Sequence, residues 1–376
     1  MDQLACPRCN ATYALGDRRW KCDCGSYLDI EFAAAFPLAK IKARKPTLWR
    51  YREAIPIKDD ASIVSFDEGF TPLLEIDIAG RPILVKQDHL FPTGSYKDRG
   101  AAVLISKVKE LGIREVVEDS SGNAGCAIAA YCARASIKCH IFVPADTAAA
   151  KSAQIQLYGA ALNWVPGSRE DTARAVLKAA ETVYYASHSW NPFFFHGTKT
   201  YAFEVCEQLG WKAPDAVILP VGNGTLLLGA AIGFKELLKT KVINKLPRLI
   251  GVQSENCAPL YRAFRQNLKQ IPRIVKKDTL AEGISLANPI RGMQIIDAVR
   301  ESNGDFIIVS DVEIKDALKN MAKKGYYIEP TSAATVAGVS KYLAKSKDEL
   351  IISVFTGHGL KSTEKMLKIV AESRHD

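Results

Sequence analysis

The sequence predicts an α/β protein with two interleaved open parallel sheets and a small cysteine-bearing segment at its N-terminus. Short apolar runs typical of buried strands alternate with helical segments over most of the chain. Polar or glycine-rich loops directly follow several of these runs, and open parallel sheets bind ligands beyond the carboxyl ends of their strands. No internal repeat or low-complexity linker divides the 376 residues. We therefore expect the domains to be interleaved along the chain.

The composition is that of a globular protein and leaves the class of partner open. The net charge of +9 is compatible with nucleic acid and equally with small anionic substrates. No run approaches the roughly 20 apolar residues of a membrane span, and the polar N-terminus does not resemble a signal peptide. The nine cysteines do not form a disulfide framework, because most are scattered in apolar contexts. We expect a reducing, cytoplasmic setting, with no membrane and no nucleic acid as partner.

Four N-terminal cysteines are spaced as Cys6-x2-Cys9-x12-Cys22-x-Cys24. Each pair is followed closely by a turn residue, an arrangement that directs thiolates at one tetrahedral Zn²⁺. We predict a structural zinc site, because four thiolates leave no open position for a substrate and so short a segment has little core of its own. The second pair is Cys-x-Cys where zinc ribbons have Cys-x2-Cys, so a site that has lost its metal is the alternative.

The other elements follow from apolar periodicity and from the glycines and prolines between them. Strands are predicted within the apolar runs 82–85, 115–118, 139–143, 162–165, 184–186, 217–221, 249–253, 306–309 and 350–354. Helices are predicted over 101–111, 148–157, 169–182, 198–209, 226–238 and 312–323. Asn191-Pro192 is interpreted as a break in the chain, ahead of the helix at 198–209.

The stretch from Pro92 to Gly100 places a lysine, Lys97, between small residues at the predicted start of a helix. Thr93 or Ser95 is expected to cap that helix, which would put Lys97 in its first turn. The partial positive charge of a helix N-terminus disfavours an ammonium group, and a lysine that loses its proton can bond to a carbonyl carbon. The alternative is a surface lysine near a turn.

Two further loops lie between a predicted strand and a predicted helix. Ser120 to Ala124 offers hydroxyls, an amide and backbone N–H groups that suit a carboxylate; the alternative is an ordinary helix cap made of serines. Gly222 to Thr225 suits a phosphate, because glycines let the backbone approach closely. This loop has neither the Gly-Lys-Ser/Thr of a P-loop nor the spacing of a dinucleotide fold, which favours a small phosphorylated cofactor over a nucleotide.

Five loops in order along the chain carry a family resemblance. They read Gly-Ser-Tyr-Lys-Asp, Ser-Ser-Gly-Asn-Ala-Gly, Gly-Asn-Gly-Thr-Leu-Leu-Leu-Gly, Tyr-Ile-Glu-Pro-Thr-Ser and Thr-Gly-His-Gly, beginning at residues 94, 120, 222, 327 and 356. Together they resemble the fold-type II pyridoxal-phosphate enzymes, and among these the threonine synthase family most closely. The resemblance covers about residues 69–361, and relatives also carry an N-terminal zinc-ribbon-like piece.

The resemblance implies a role for each loop. Lys97 would bond to the aldehyde of pyridoxal 5′-phosphate, and Asn123 would hydrogen-bond its phenolic oxygen. Thr356 would meet the pyridine nitrogen, where a neutral hydroxyl makes the ring a gentler electron sink than a carboxylate would. The remaining predicted contacts are with the cofactor phosphate, from Gly222, Asn223, Gly224, Thr225 and Leu226, and with the substrate, from Ser120, Ser121, Gly122, Ala124 and Lys199.

The resemblance also implies a domain organisation and an assembly. It assigns residues 1–32 to the zinc-ribbon-like segment and 101–197 to a smaller mobile α/β domain. Residues 33–100 and 198–376 would form the large cofactor domain. Fold-type II enzymes are usually dimers, so we expect a homodimer.

The reaction implied is conversion of O-phospho-L-homoserine and water to L-threonine and phosphate, with Lys97 as general base. One departure concerns the substrate: threonine synthases commonly have Asn-Pro-x-Arg before Glu-Gly-Gln-Lys-Thr, and Phe194 stands here where the phosphate-binding arginine would be. His196 or Lys199 could compensate, although Lys199 could equally be a solvated helix residue. The alternatives are a threonine or serine ammonia-lyase, a β-replacement synthase that makes cysteine or cysteate from phosphoserine, and a zinc-ribbon protein without turnover.

Overall fold

The computed structural model describes residues 2–145, 147, 149–346 and 348–372. Within these residues the strands, in chain order, are β1 (Gln3–Ala5), β2 (Thr12–Ala14), β3 (Asp29–Glu31), β4 (Leu73–Ile78), β5 (Arg81–Lys86), β6 (Glu115–Glu118), β7 (Lys138–Pro144), β8 (Ala161–Val165), β9 (Tyr184–Tyr185), β10 (Ala216–Pro220), β11 (Arg248–Ser254), β12 (Asp305–Val309) and β13 (Ile351–Val354).

The α-helices of the same residues are α1 (Leu38–Ala43), α2 (Lys97–Glu110), α3 (Asn123–Ala135), α4 (Ala149–Leu157), α5 (Arg169–Ala179), α6 (Pro192–Thr198), α7 (Thr200–Gln208), α8 (Thr225–Lys239), α9 (Pro259–Arg265), α10 (Gly292–Glu301), α11 (Asp311–Lys323), α12 (Pro330–Leu343) and α13 (Thr363–Glu372). No helix in the described part of the chain is long and apolar enough to cross a membrane.

The chain forms two compact units, and each is made of two separate stretches. The first unit comprises Met1–Phe70 and Lys97–Thr200, and the second comprises Thr71–Tyr96 and Tyr201–Asp376. Residues 33–70 thus belong to the same unit as residues 101–197, whereas the sequence placed them with the large cofactor domain. One reason is visible in the hydrogen bonds: the backbone N–H of Val64 donates to Ser106 Oγ in α2 at 2.9 Å. The functional division into cofactor and mobile domains stays a prediction.

The first unit contains a four-stranded parallel sheet in the order β8-β7-β6-β9. Alanines, valines and isoleucines of α2 and α3 are buried in its core. The same unit carries a separate three-stranded antiparallel sheet, β2-β1-β3, built by the N-terminal segment. Leu4 in the central strand of this small sheet is fully buried and joins the core of the unit.

The second unit contains a six-stranded sheet in the order β12-β11-β10-β13-β5-β4. The first five strands are parallel, and β4 pairs antiparallel with β5 at the edge. All five residues of β10 are buried, as expected for a central strand covered on both faces. The predicted fold class, an α/β chain with two interleaved open parallel sheets, is confirmed.

The interpretation of Asn191-Pro192 as a chain break is wrong. Asn191 is the N-cap of α6, with its side-chain oxygen accepting from the Phe193 N–H at 3.2 Å, and Pro192 is the first helical residue. Proline is favoured at that position because its missing N–H would have no partner there. The predicted helix at 198–209 corresponds to α7, which begins at Thr200, and the sequence did not predict α6, which precedes it and ends at Thr198.

Candidate active site

Three loops of the second unit lie at one edge of its sheet. They follow β5, β10 and β13, which are neighbouring parallel strands, so their carboxyl ends meet at the same edge. The loops contain Ser95-Tyr96, Gly222–Thr225 and Thr356-Gly357. Three of the five predicted motifs thus contribute residues to one edge of one unit.

The loop after β10 has the geometry of an anion cradle. Its last residue, Gly224, is the N-cap of α8 with φ +70° and no side-chain cap bond, so the first N–H groups of a 15-residue helix are left uncapped by a side chain. A Cβ on Gly224 would lie 2.3 Å from Ile295 Cδ1, which explains why glycine is required here. Thr225, which begins α8, is buried.

Tyr96 connects this cradle to the loop after β13. Its hydroxyl lies 2.8 Å from Thr225 Oγ1, and its backbone N–H donates to the carbonyl of Thr356 at 2.9 Å. Ser95 pairs in an isolated bridge with Gly357. The residue that directly precedes Lys97 is therefore bonded to both loops.

Thr356, the predicted partner of the pyridine nitrogen, is fully buried in a polar cluster. Its hydroxyl donates to Glu329 Oε1 at 2.8 Å and lies 3.0 Å from Ser332 Oγ. Ser332 Oγ also accepts from the Thr356 backbone N–H at 2.8 Å. The Thr356 hydroxyl is thus held between the side chains of Glu329 and Ser332.

Lys97 is the first residue of α2, as predicted, and is half-buried. The predicted cap from Ser95 is wrong, because the buried Ser95 Oγ has no hydrogen-bond partner among the described residues. The two residues after Lys97, Asp98 and Arg99, are fully buried. Arg99 donates from Nη1 to Thr200 Oγ1 at 3.1 Å, a bond between two residues of the first unit.

The loop from Ser120 to Gly122 follows β6, and Asn123 begins α3. The alternative of a helix cap made of serines is wrong, since Gly122 is the N-cap and α3 has no side-chain cap bond. The loop lies tightly against the helix: a Cβ on Gly125 would be 1.8 Å from the carbonyl oxygen of Ser120. The first N–H groups of α3 are therefore not capped by a side chain, as an anion site requires.

Sequence reasoning missed a buried pair in the first unit, Glu118 and His188. His188 Nδ1 lies 2.6 Å from Glu118 Oε1. Burial lowers the pKa of His188 to about 3, with the nearby charge of Lys97 as the next cause. Burial also raises the pKa of Glu118 well above its usual value. Burial thus disfavours the charged form of each group, and the sequence signal that could have found the pair is a glutamate at the end of an apolar strand.

Lys199 and Phe194 both belong to the first unit, and both are buried. Lys199 is fully buried, so its interpretation as a solvated helix residue is wrong. Its Nζ lies 2.9 Å from His196 Nδ1 and 5.3 Å from the centre of the Phe32 ring. Phe194 is fully buried too, and its ring packs so closely on Gly100 that a Cβ there would lie 2.3 Å from it. Position 194 thus supplies packing for α2 and no positive charge.

The four N-terminal cysteines converge. Their sulfur atoms all lie within 4.8 Å of one another, with Cys6 to Cys24 and Cys9 to Cys22 each at 3.5 Å. Four sulfurs around one zinc at about 2.3 Å would be roughly 3.8 Å apart. The donor set and its spacing therefore fit a tetrahedral thiolate site.

Comparison with known proteins gives consistent matches over nearly the whole chain. A family model described as pyridoxal-phosphate dependent enzyme matches residues 64–357. Threonine synthase of Methanocaldococcus jannaschii is 37% identical over 98% of this chain and 95% of its own length, and that of Methanosarcina acetivorans is 33% identical over 99% and 95%.

Among solved structures, the processed form of threonine deaminase isoform 2 from Solanum lycopersicum has a TM-score of 0.69 to this chain. It is 21% identical and covers 86% of this chain and 92% of its own. A serine racemase from Dictyostelium discoideum has a TM-score of 0.65 at 27% identity, with coverage of 77% and 92%. These matches share the α/β fold described above.

Proposed function

The chain belongs to the pyridoxal-phosphate-dependent enzymes, as a lyase of fold type II, and we propose that it converts O-phospho-L-homoserine and water to L-threonine and phosphate. The observation that carries this proposal is the end-to-end similarity to threonine synthases, 37% identical over 98% of the chain. A match of that length spans the loops to which we assign the substrate contacts as well as the common fold.

The residues present fit pyridoxal 5′-phosphate. The uncapped N–H groups of α8 behind Gly224 provide donors and a positive field for the phosphate, and we assign Gly222–Leu226 to it. The orphan hydroxyl of Ser95, buried at the same sheet edge, is a polar atom of the kind that a bound ligand satisfies. When bound, the cofactor supplies an electron sink for the carbanion formed at the substrate Cα.

The chain's own groups would bind the substrate and move its protons. In the proposal the Lys97 amine would hold the cofactor at its aldehyde carbon, and as general base it would take the Cα proton of the substrate and later one from Cβ. The substrate carboxylate would be held by Ser120, Ser121, Gly122 and Ala124, at the start of α3, which no side chain caps. Asn123 would hydrogen-bond the phenolic oxygen of the cofactor, and Thr356 would meet its pyridine nitrogen.

The proposed site for the substrate phosphate departs from the pattern of the threonine synthase family at position 194. Phe194 supplies no cation, so we propose that the buried ammonium of Lys199, paired with His196, takes the place of the arginine. Desolvation strengthens a charge-assisted hydrogen bond to phosphate. Replacing Lys199 by methionine is then expected to raise the KM for O-phospho-L-homoserine about tenfold or more, with arginine restoring part of the loss.

The test of the reaction is phosphate release from O-phospho-L-homoserine together with threonine formation. Pyridoxal phosphate bound to a lysine absorbs at about 410–420 nm, and Lys97→Ala is expected to abolish both this band and turnover. Lys109→Ala is the matched control, because Lys109 is an exposed lysine near the other end of the same helix. A preparation with the absorption band but no phosphate release from this substrate would refute the proposed reaction.

Ammonia-lyase activity is the second candidate, and Phe194 is the observation that favours it. A lyase that releases ammonia from threonine or serine needs no cation for a substrate phosphate, and Phe194 offers none. Ammonia release from threonine in the absence of phosphate release would support this candidate. Product formed from phosphoserine only with sulfide or sulfite would instead indicate a β-replacement synthase.

We also propose a structural Zn²⁺ at the four N-terminal cysteines and a homodimeric assembly. The zinc proposal is supported by the convergence of four sulfur atoms within 4.8 Å and by a donor set that leaves no position open for substrate. The dimer is proposed by analogy with the family, and sedimentation of the purified protein at micromolar concentration tests it.

A further inference from the structure

Tyr96 has a set of contacts that the reaction described above does not use. Its hydroxyl lies 2.8 Å from Thr225 Oγ1 at the start of α8, and its backbone N–H donates to Thr356 at 2.9 Å. Lys97 follows it directly in the chain. Tyr96 thus bonds to Thr225 of the predicted phosphate loop (Gly222–Thr225) and to the loop after β13. It is also covalently attached to Lys97, the predicted cofactor lysine.

The contact between Tyr96 and Thr225 joins two hydroxyls, so only one of the two hydrogens lies between the oxygens. If Thr225 donated its hydrogen to Tyr96, it could no longer donate that hydrogen to a phosphate, which can only accept. If Tyr96 donates, the Thr225 hydrogen is not used in this contact, and donation into its oxygen polarises that O–H further. A phenol is also the stronger donor of the two. The Tyr96 hydrogen therefore lies between the oxygens when phosphate is present.

We propose that Tyr96 is a positioning residue for the cofactor phosphate. Its hydroxyl fixes the Thr225 hydroxyl as a donor to the phosphate. Its backbone bond to Thr356 holds Tyr96 in register with the loop after β13. The inference rests on the proposed phosphate role of Gly222–Leu226, and it assigns Tyr96 no contact with the reacting atoms.

The proposal distinguishes the phosphate from the rest of the cofactor, so the experiment compares two ligands. Pyridoxal 5′-phosphate and pyridoxal, which lacks the phosphate, are titrated into the apoenzyme, and the absorption of the lysine adduct reports binding of both. Tyr96→Phe is expected to weaken binding of pyridoxal 5′-phosphate by roughly 5- to 30-fold, the range for a hydrogen bond that serves a charged group. Pyridoxal binding should change less than about twofold, because the lost hydroxyl acts only on the phosphate.

The matched control is Tyr342→Phe. Tyr342 lies in α12 of the same unit and donates to Glu349 Oε2 at 2.8 Å, so the control loses a hydroxyl bond of equal length outside the predicted cofactor loops. It is expected to bind both ligands as the wild type does. Equal losses of affinity for both ligands in Tyr96→Phe would mean a general structural role and would overturn the proposal, as would wild-type affinity for pyridoxal 5′-phosphate.

A double-mutant cycle tests whether Tyr96 acts through Thr225. Thr225→Val removes the hydroxyl and should weaken binding of pyridoxal 5′-phosphate, whereas Thr225→Ser keeps it and should largely restore affinity. In the Thr225→Val background, Tyr96→Phe should have no further effect beyond about twofold. Full additivity of the two losses would show that Tyr96 acts independently and would refute the mechanism.

The role of Tyr96 is tested by measuring cofactor binding, so this test can fail or succeed separately from the test of the proposed reaction. Threonine formation is assayed on the same wild-type preparation. A protein that discriminates the two ligands through Tyr96 but makes no threonine would overturn the reaction and leave the role of Tyr96 standing. If the wild type makes threonine while Tyr96→Phe binds both ligands normally, the proposed reaction stands and the proposed role of Tyr96 is overturned.

Discussion

Gly125 shows, at the scale of one residue, how closely the loop after β6 lies to helix α3. A Cβ at this position would be 1.8 Å from the carbonyl oxygen of Ser120, a distance at which the loop backbone itself must move. Gly125→Ala is expected to lower the free energy of unfolding by about 1–3 kcal/mol and to weaken substrate binding, since the loop carries Ser120–Gly122. Urea denaturation and the KM for the substrate measure the two effects.

Gly16→Ala is the control for this prediction. Gly16 has nothing within 4 Å of the site of an added Cβ, and its φ lies outside the region that favours glycine. Alanine there should change the free energy of unfolding by less than about 0.5 kcal/mol. Equal stabilities of the two variants would show that the loop after β6 is free to move away from α3.

His89 gives a pH prediction for the second unit. Burial lowers the pKa of His89 to about 4, with the charge of His358 as the next cause and Asp88 opposing both; the two imidazole rings stack at 5.9 Å. In the unfolded chain the pKa is near 6.5. Between these two values the unfolded state binds more protons than the folded state, so His89 makes the free energy of unfolding fall as the pH falls from about 6.5 to about 4.

His89→Phe should therefore lose less stability than the wild type on acidification from pH 7 to pH 5. Phenylalanine keeps the ring against Phe355, which lies 5.7 Å from the His89 ring, and removes a buried Nδ1 that has no partner among the described residues. His140→Gln is the control, because His140 lies in β7 paired with Glu115 at 2.8 Å. Urea titrations at several pH values measure the slopes, and an unchanged slope in His89→Phe would contradict the prediction.

Single residues differ in how far the sequence predicted their placement. Lys97 and the Gly222–Thr225 loop were predicted because a local pattern, strand then small residues then helix, sets their position. The buried state of Lys199 was not predicted, since its neighbours include Phe32, a residue distant in the chain. The pairing of Glu118 with His188 joins residues 70 positions apart. Such contacts follow from strand order in the sheet, which local patterns do not specify.

At the scale of elements, the sequence predicted most strands within one or two residues but missed several helices. The helix α12 begins at Pro330 after the Tyr-Ile-Glu segment, and α6 begins at Pro192. Both have proline as their first residue, and it was interpreted as a breaker in the case of α6. Their short or almost fully buried sequences also lack the polar face that identifies an amphipathic helix.

The N-terminal sheet is the element whose stability we expect to depend on metal. Strands β1, β2 and β3 have three residues each, too few to stabilise a sheet without further support. The purified protein is expected to contain about one zinc per chain. Cys24→Ser should lose this zinc, and the N-terminal segment should become susceptible to protease while the two larger sheets stay folded.

Metal analysis by mass spectrometry and limited proteolysis measure these outcomes. Cys257→Ser is the control, because Cys257 is a buried cysteine outside the cluster, and it should keep the zinc. Full zinc content in Cys24→Ser, or absence of zinc from the wild type grown in zinc-supplemented medium, would contradict the prediction.

At the scale of the whole molecule, interleaving of the units was predicted from the absence of a linker, and the two-stretch composition of each unit agrees with it. The boundaries themselves were not recognisable in the sequence. Residues 33–70 carry no motif that ties them to either sheet, and their place is set by long-range bonds such as the Lys58 N–H to Glu110. A unit boundary of this kind is fixed by packing and leaves no compositional signal.

Because the two units are interleaved along the chain, we predict that the second unit cannot fold from its longer stretch, which begins at Tyr201, without residues 71–96. Strand β5, from the 71–96 stretch, pairs with β13 through Leu84, Val85 and Lys86. Lys86 also forms a fully buried ion pair with Glu204 at 2.8 Å. A fragment of residues 201–372 would expose the edge of β13 and leave Glu204 buried without its cation, which costs about 3–5 kcal/mol. We expect this fragment to aggregate or to unfold without a cooperative transition.

A fusion of residues 71–96 to residue 201 through a flexible glycine-serine linker supplies both missing partners, and it should recover cooperative unfolding in urea. Lys86→Met in that fusion should remove much of the recovered stability, because Glu204 would again lack its cation. Circular dichroism and dye binding compare the three proteins. Cooperative unfolding of the 201–372 fragment by itself would show that β5 adds little to the sheet, and the second unit would then be one continuous folding domain with an accessory hairpin.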